Sequence, residues 1–152
     1  MKTKGTMILV AMLMMIGMTI SPTTSRSSDM PNGQYVDDAS LIRIYGEYAF
    51  EALRRFPNLV ETIRQAKGDF KTRDVATSFP TAIFEFNNGK KCVILSGCTP
   101  HDCGGTANFI VYDIQSRRAY VFKENRDQND FRIYGNPDEN IKKLLIYHYR
   151  NR

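Results

Sequence analysis

After Asp69 the apolar residues stop recurring every third or fourth position and fall into short extended runs, the first of them alternating, and this change of period fixes the class of fold open to the chain. Thr81 to Phe86 puts Ala82, Phe84 and Phe86 on one face of an extended segment. Asn88-Gly89 follows, a pair that tolerates the positive φ of a tight hairpin, and the return strand runs from Lys90 to about Ser96. Ala107 to Tyr112 and Arg118 to Phe122 read as a third and a fourth strand, joined by a turn near Gln115-Ser116. The polar run Glu124 to Asp130 reads as a loop, and Phe131 to Tyr134 as a short fifth strand.

Helical spacing brackets these strands. Leu41, Tyr45, Tyr48, Ala49 and Leu53 predict a helix from about Ala39 to Arg55, capped by Asp38 or Ser40 and slightly weakened by Gly46. Pro57 ends it and can open a second helix, whose face is Leu59, Val60 and Ile63 and whose terminator is Gly68. After the strands, Asn136-Pro137-Asp138-Glu139 supplies a cap, a proline at the first helical position and acids in the first turn. Ile141, Leu144, Leu145 and His148 share one face of that last helix, with His148 as a structural residue. The expectation is an α+β domain over residues 39–152: an antiparallel sheet of about five strands flanked by helices at the N- and C-terminal ends.

Residues 1–25 are expected to be a signal peptide. Lys2 and Lys4 precede an apolar run from Met7 to Ile20, followed by small polar residues around Thr23-Thr24-Ser25. The run is shorter than the roughly 20 residues of a membrane-spanning helix, so no membrane association is expected after cleavage. Residues 26–38 carry turn formers without periodicity and read as a flexible segment. Without Lys2 and Lys4, 19 basic residues face 16 acidic ones, a net charge of +3, and the basic residues are scattered. Nucleic-acid binding wants a clustered stripe, so no nucleic-acid partner is expected.

Chemistry concentrates in Cys98-Thr99-Pro100-His101-Asp102-Cys103-Gly104-Gly105. The chain has three cysteines. Cys92 and Cys98 belong to one strand, and six extended residues span roughly 20 Å, beyond the ~7 Å limit for bridged Cα atoms. Cys98–Cys103 is therefore the expected disulfide, and Cys92 a small buried hydrophobe. A Cys/His nucleophile pair needs a free thiol, and neighbouring His101 and Asp102 point to different sides of an extended loop, so no catalytic residue is assigned. Cys98, His101 and Cys103 lack the second pair of ligands that structural zinc uses, so no metal or other cofactor is expected. Two readings of the loop stay open on these grounds. It is either a stapled turn or a recognition loop, in which Pro100 and the disulfide hold an ionisable histidine outward.

The loop resembles the Cys-Lys-Pro-His-Asp-Cys loop of the Ivy family, periplasmic inhibitors of vertebrate c-type lysozyme. The similarity extends to Gly104-Gly105 and to Tyr134-Gly135-Asn136-Pro137-Asp138-Glu139 with its apolar helix. Thr99 departs from the family's usual lysine, which removes any contact that lysine would make. The resemblance implies a periplasmic, non-enzymatic inhibitor whose His101 enters the target's active-site cleft between two carboxyl groups about 5 Å apart. It implies polar contacts from Asp102, a shape held by Cys98–Cys103, and a lining of Thr99, Gly104 and Gly105. The alternative target is another peptidoglycan-cleaving enzyme, such as a lytic transglycosylase, and a homodimer is left open.

Overall fold

The extended segments pair into one antiparallel sheet, with helices packed on both of its faces. The computed structural model describes residues 30–151; the expected signal peptide and residues 26–29 of the expected flexible segment lie outside the described residues. Seven strands form the sheet: β1 Gly33–Val36, β2 Thr77–Ser78, β3 Ala82–Phe86, β4 Lys91–Cys98, β5 Thr106–Asp113, β6 Arg118–Asn125 and β7 Asp130–Tyr134. Their order across the sheet is β1-β3-β4-β5-β6-β7, with β2 paired to the far end of β4. The helices are α1 Ala39–Tyr45, α2 Ala49–Arg55, α3 Pro57–Ala66 and α4 Glu139–Arg150, with a 3₁₀ turn at Thr72–Val75.

The class is the expected one, α+β, but the strands number seven instead of about five. Neither extra strand is long enough to show a period. β1 forms inside the stretch expected to be flexible, because β3 offers it an open edge, Gly33 facing Phe86 and Val36 facing Ile83. A side chain at Gly33 would press on the Glu85 carbonyl at 2.4 Å and on the Phe84 ring. The single helix expected over 39–55 is two helices. Gly46 adopts φ +94° and its N–H reaches the Ile42 carbonyl at 2.7 Å, closing α1, so this glycine breaks the helix outright. Asp38, not Ser40, caps α1, its carboxylate accepting from the Leu41 N–H at 3.2 Å. Asp138, not Asn136, caps α4, accepting from the Ile141 N–H at 2.8 Å. Gly135 and Asn136 both have positive φ, which reverses the chain and leaves Pro137 outside the helix.

Alternation divides the core. On one face Ile83, Val93, Leu95, Ile110 and Val121 meet Leu53, Leu59 and Ile63 of α2 and α3. On the other, Phe84, Ile94, Phe109, Val111 and Phe122 meet Ile141, Leu144 and Leu145 of α4. Each fully buried side chain of this size contributes roughly 1.5–3 kcal/mol, so packing, more than propensity, holds the 12-residue α4 in place. Covered on both sides, β4 and β5 are apolar almost throughout, and the turn between them is the cysteine loop.

Candidate functional site

The loop leaves β4 at Cys98, which is buried, and rejoins β5 at Thr106. Cys98 and exposed Cys103 are bridged, their Cα atoms 5.0 Å apart. Inside the ring, the Asp102 N–H donates to the Thr99 carbonyl at 3.0 Å. That bond closes a four-residue turn with Pro100 second and His101 third, and His101 has φ +66°. Proline second and positive φ third describe a type II turn, whose third position favours glycine. A histidine there carries a conformational cost on the order of 1 kcal/mol, which its surroundings must offset. The disulfide and the proline supply that restraint, and the imidazole is exposed at the tip.

Asp102 faces the other way. Its carboxylate accepts from the Thr106 hydroxyl at 2.8 Å, and its carbonyl accepts from the N–H groups of Gly105 and Thr106 at 3.1 and 2.9 Å. It is half-buried, a brace for the turn. The two glycines differ as well. A Cβ at Gly105 would lie 2.4 Å from Asp102 Oδ1 and 3.0 Å from Asp127 Oδ2, whereas one at Gly104 would meet nothing within 4 Å. Thr99 and Pro100 are half-buried, so His101, Cys103 and Gly104 are the exposed part of the ring.

Both legs of the loop are anchored by neighbours that no local sequence pattern announces. On the β4 side, β2 pairs Thr77 with Cys98 and Ser78 with Gly97. A Cβ at Gly97 would approach the Thr77 carbonyl to 2.7 Å and the Val75 backbone to 3.0 Å, so glycine is what lets β2 close in. The buried Asn108 amide donates to the Asp74 carbonyl at 3.0 Å, fixing the 3₁₀ turn beneath the stem. Lys67, almost fully buried, pairs with Asp69 at 2.6 Å and Asp74 at 3.9 Å, tying that turn to the end of α3. On the β5 side, the Arg126 N–H donates to the Gly105 carbonyl at 2.8 Å. Arg126 is held in turn by the buried carboxylate of Glu124, 3.0 Å from its Nε. Glu124 also accepts from the Tyr149 hydroxyl at 2.5 Å, a bond that pushes the phenol's pKa up. The polar composition of the β6–β7 turn predicts only a loop, and its position beside Gly105 is what reveals its part.

The remaining chemistry of the chain lies elsewhere. Cys92 is buried on the α4 side of the sheet, as expected, and burial pushes its thiol up to about 12. Cys98 and Cys103 spend their sulfurs on each other and cannot ligate zinc beside His101. Among the described residues no group of three or more histidine, cysteine, aspartate or glutamate side chains is placed to hold a metal ion. His148 has the structural place read for it, with Nδ1 at 2.9 Å from the Tyr35 hydroxyl and the ring against Phe109.

A family model described as "Inhibitor of vertebrate lysozyme (Ivy)" matches residues 59–144, more than half of the chain. The chain belongs to the Ivy family. The match runs from the first turn of α3, through the whole sheet from β2 onward and the cysteine loop, to Leu144 in α4. Comparison with curated proteins gives no match. Membership in Ivy makes inhibition of lysozyme the general function, agreeing with the expectation of a non-enzymatic protein, and makes lysozyme the general partner.

Proposed function

We propose that this chain is an exported inhibitor of c-type lysozyme that blocks the catalytic cleft with the Cys98–Cys103 loop and its His101. The observation that carries the reading is His101 itself: exposed, at the tip of a disulfide-closed turn, in a backbone conformation that glycine would adopt more readily. A position held against its own conformational preference is best accounted for by what the side chain meets outside the molecule. A neutral imidazole offers one donor and one acceptor, and a protonated one offers two donors. Either form can bond two carboxyl groups about 5 Å apart across a retaining-glycosidase cleft, one of them ionised and the other protonated. Because the turn is rigid before contact, little entropy is lost on binding.

Asp102 supports this arrangement from inside, and the direct polar contacts fall to His101 and the exposed backbone around it. Thr99 supplies no charge where a lysine would, so affinity rests on fit. The apolar run behind Lys2 and Lys4 supports export to the periplasm, the compartment in which the disulfide persists. Titration of the purified protein against c-type lysozyme in a cell-wall lysis assay is expected to reach full inhibition near one-to-one. No inhibition at large excess would overturn the reading, and inhibition of a lytic transglycosylase alone would redirect it to that target.

A further inference from the structure

The cysteine ring offers little surface of its own, since only His101, Cys103 and Gly104 are exposed. A stable interface takes about 20–30 residues and about 800 Å² from each partner, so contact has to run off the ring onto what flanks it. One flank is the β6–β7 turn, whose exposed residues, Arg126 to Asn129, are all polar. The other is β2 and the segment that follows it. Six large hydrophobic side chains are exposed among the described residues, and three of them, all aromatic, gather on this second flank: Tyr48 at 40%, Phe50 at 38% and Phe79 at 39%. The Phe79 N–H donates to the Ser96 carbonyl at 2.9 Å, continuing the pairing of Thr77 with Cys98 and Ser78 with Gly97. Two residues along the strand and one strand across place its backbone roughly 8 Å from that of Cys98. Tyr48 and Phe50 are held to the same segment. The Phe50 N–H donates to Ser78 Oγ at 3.1 Å, Tyr48 bridges to Pro80, and the two rings stack with centroids 6.4 Å apart.

Three aromatic side chains open to this extent leave roughly 200–300 Å² of ring surface in water at one spot. Aromatic area concentrated in this way belongs to contact sites more than to general surface. We propose that Tyr48, Phe50 and Phe79 form a second contact surface for the lysozyme whose cleft the loop blocks. The proposal rests on the inhibitor reading and extends its interface. The occupant follows from continuity and from area. Ring and patch hang on the same β2–β4 pair, inside one footprint roughly 30 Å across, so a body seated on the ring reaches the patch, and the ring alone is too small to hold it. A second copy of the chain on the patch would crowd the ring and compete with the target. The backbone bonds that pin Ser78, Phe79 and Phe50 set the rings in place before contact, and aromatic side chains have few torsions left to freeze, so little entropy is lost on binding.

Affinity of the purified protein for c-type lysozyme, measured by calorimetry, tests this. Phe50→Ala and Phe79→Ala should each weaken binding about tenfold, equally at low and high salt because no charge is involved. Phe79→Leu keeps most of the apolar area and should keep most of the affinity. Phe131→Ala removes an equally open ring, stacked on Phe122 away from the patch, and should leave affinity within about twofold. Hydroxyl-radical footprinting of the unaltered complex needs no variant: Tyr48, Phe50 and Phe79 should lose reactivity while Phe131 keeps it. Unchanged affinity in Phe50→Ala and Phe79→Ala, with His101→Ala still impaired, would overturn the patch and leave the inhibitor reading standing. Rings that stay reactive in the complex would overturn it equally. So would a dimer, seen by light scattering, that Phe79→Ala makes monomeric without loss of lysozyme affinity, since the patch would then belong to a second copy. Should the unaltered protein not bind lysozyme at all, the inhibitor reading falls first and the patch with it.

Discussion

His101 is where function and stability can be separated by a single substitution. His101→Gly suits φ +66° and removes the strain, so the variant should match the parent in stability to within about 1 kcal/mol, by chemical denaturation. The same change removes the imidazole and should cost several kcal/mol in lysozyme binding, as expected for a central anchor. A glycine variant that inhibits normally would move the anchor elsewhere. Asp102 should behave in the opposite way. Asp102→Ala frees the Thr106 hydroxyl and should cost about 1 kcal/mol of stability. Its effect on binding should be a modest fall through a looser turn, and should vanish when Thr106→Val has already cut the bond, a double-mutant cycle that a direct contact to lysozyme would not close. The cysteines, the proline and the outward histidine were legible from their order in the chain. The inward turn of Asp102 was not, because its partner Thr106 becomes a neighbour only once the ring has closed.

Among the elements, β2 and the β6–β7 turn decide how firmly the loop stands. Gly97→Ala would drive a methyl group to 2.7 Å from the Thr77 carbonyl and push β2 off the stem. Overpacking of this kind costs about 1–3 kcal/mol, and lysozyme affinity should fall with it, whereas Gly104→Ala, in open space, should change stability little. Urea denaturation of the two variants side by side reads the difference. Reduction of Cys98–Cys103 should leave the domain folded, since closing so short a ring is worth only about 2 kcal/mol, yet should weaken inhibition; unchanged inhibition would remove the argument from rigidity. The same scale shows why sequence reading stops where it does. β3 announces itself by alternation, β4 to β6 by apolar runs of strand length bounded by turn residues, and α4 by its apolar face. β2, two residues long, and β1, which forms only because β3 has a free edge, carry no period to read. The break at Gly46 was visible as a glycine, but its depth depends on Tyr48 bridging to Pro80, more than thirty positions on.

At the scale of the whole molecule, the N-terminal edge of the sheet and the C-terminal helix are closed on each other through Tyr35 and His148. Tyr35 packs edge-on against Phe84 and lies tilted against the Tyr147 ring, its hydroxyl bonds His148 Nδ1, and Phe109 lies edge-on to the imidazole. Burial lowers the pKa of His148 to about 4, so the fold holds the ring neutral. The unfolded chain takes up a proton near pH 6.5, where the folded chain does not. Stability from this group is therefore complete above about pH 6.5 and falls away as the pH drops toward 4, by roughly 2–3 kcal/mol. Asp38 acts in a lower window. Its bond from Lys91 holds the carboxyl well below its usual range, so its contribution is kept above the unfolded pKa of 3.8 and is lost only as the pH falls further. Between pH 7 and 4.5 the histidine should thus dominate. His148→Gln keeps a hydrogen-bonding side chain and abolishes the titration, so its melting temperature should be nearly flat over that range while that of the unaltered protein declines. Parallel declines in both proteins would place the acid sensitivity elsewhere. Since β4 and β5 are also held by α2 and α3 from the opposite face, loosening α4 in this way should lower stability well before it disturbs the cysteine ring, and lysozyme inhibition at pH 5 should persist in both.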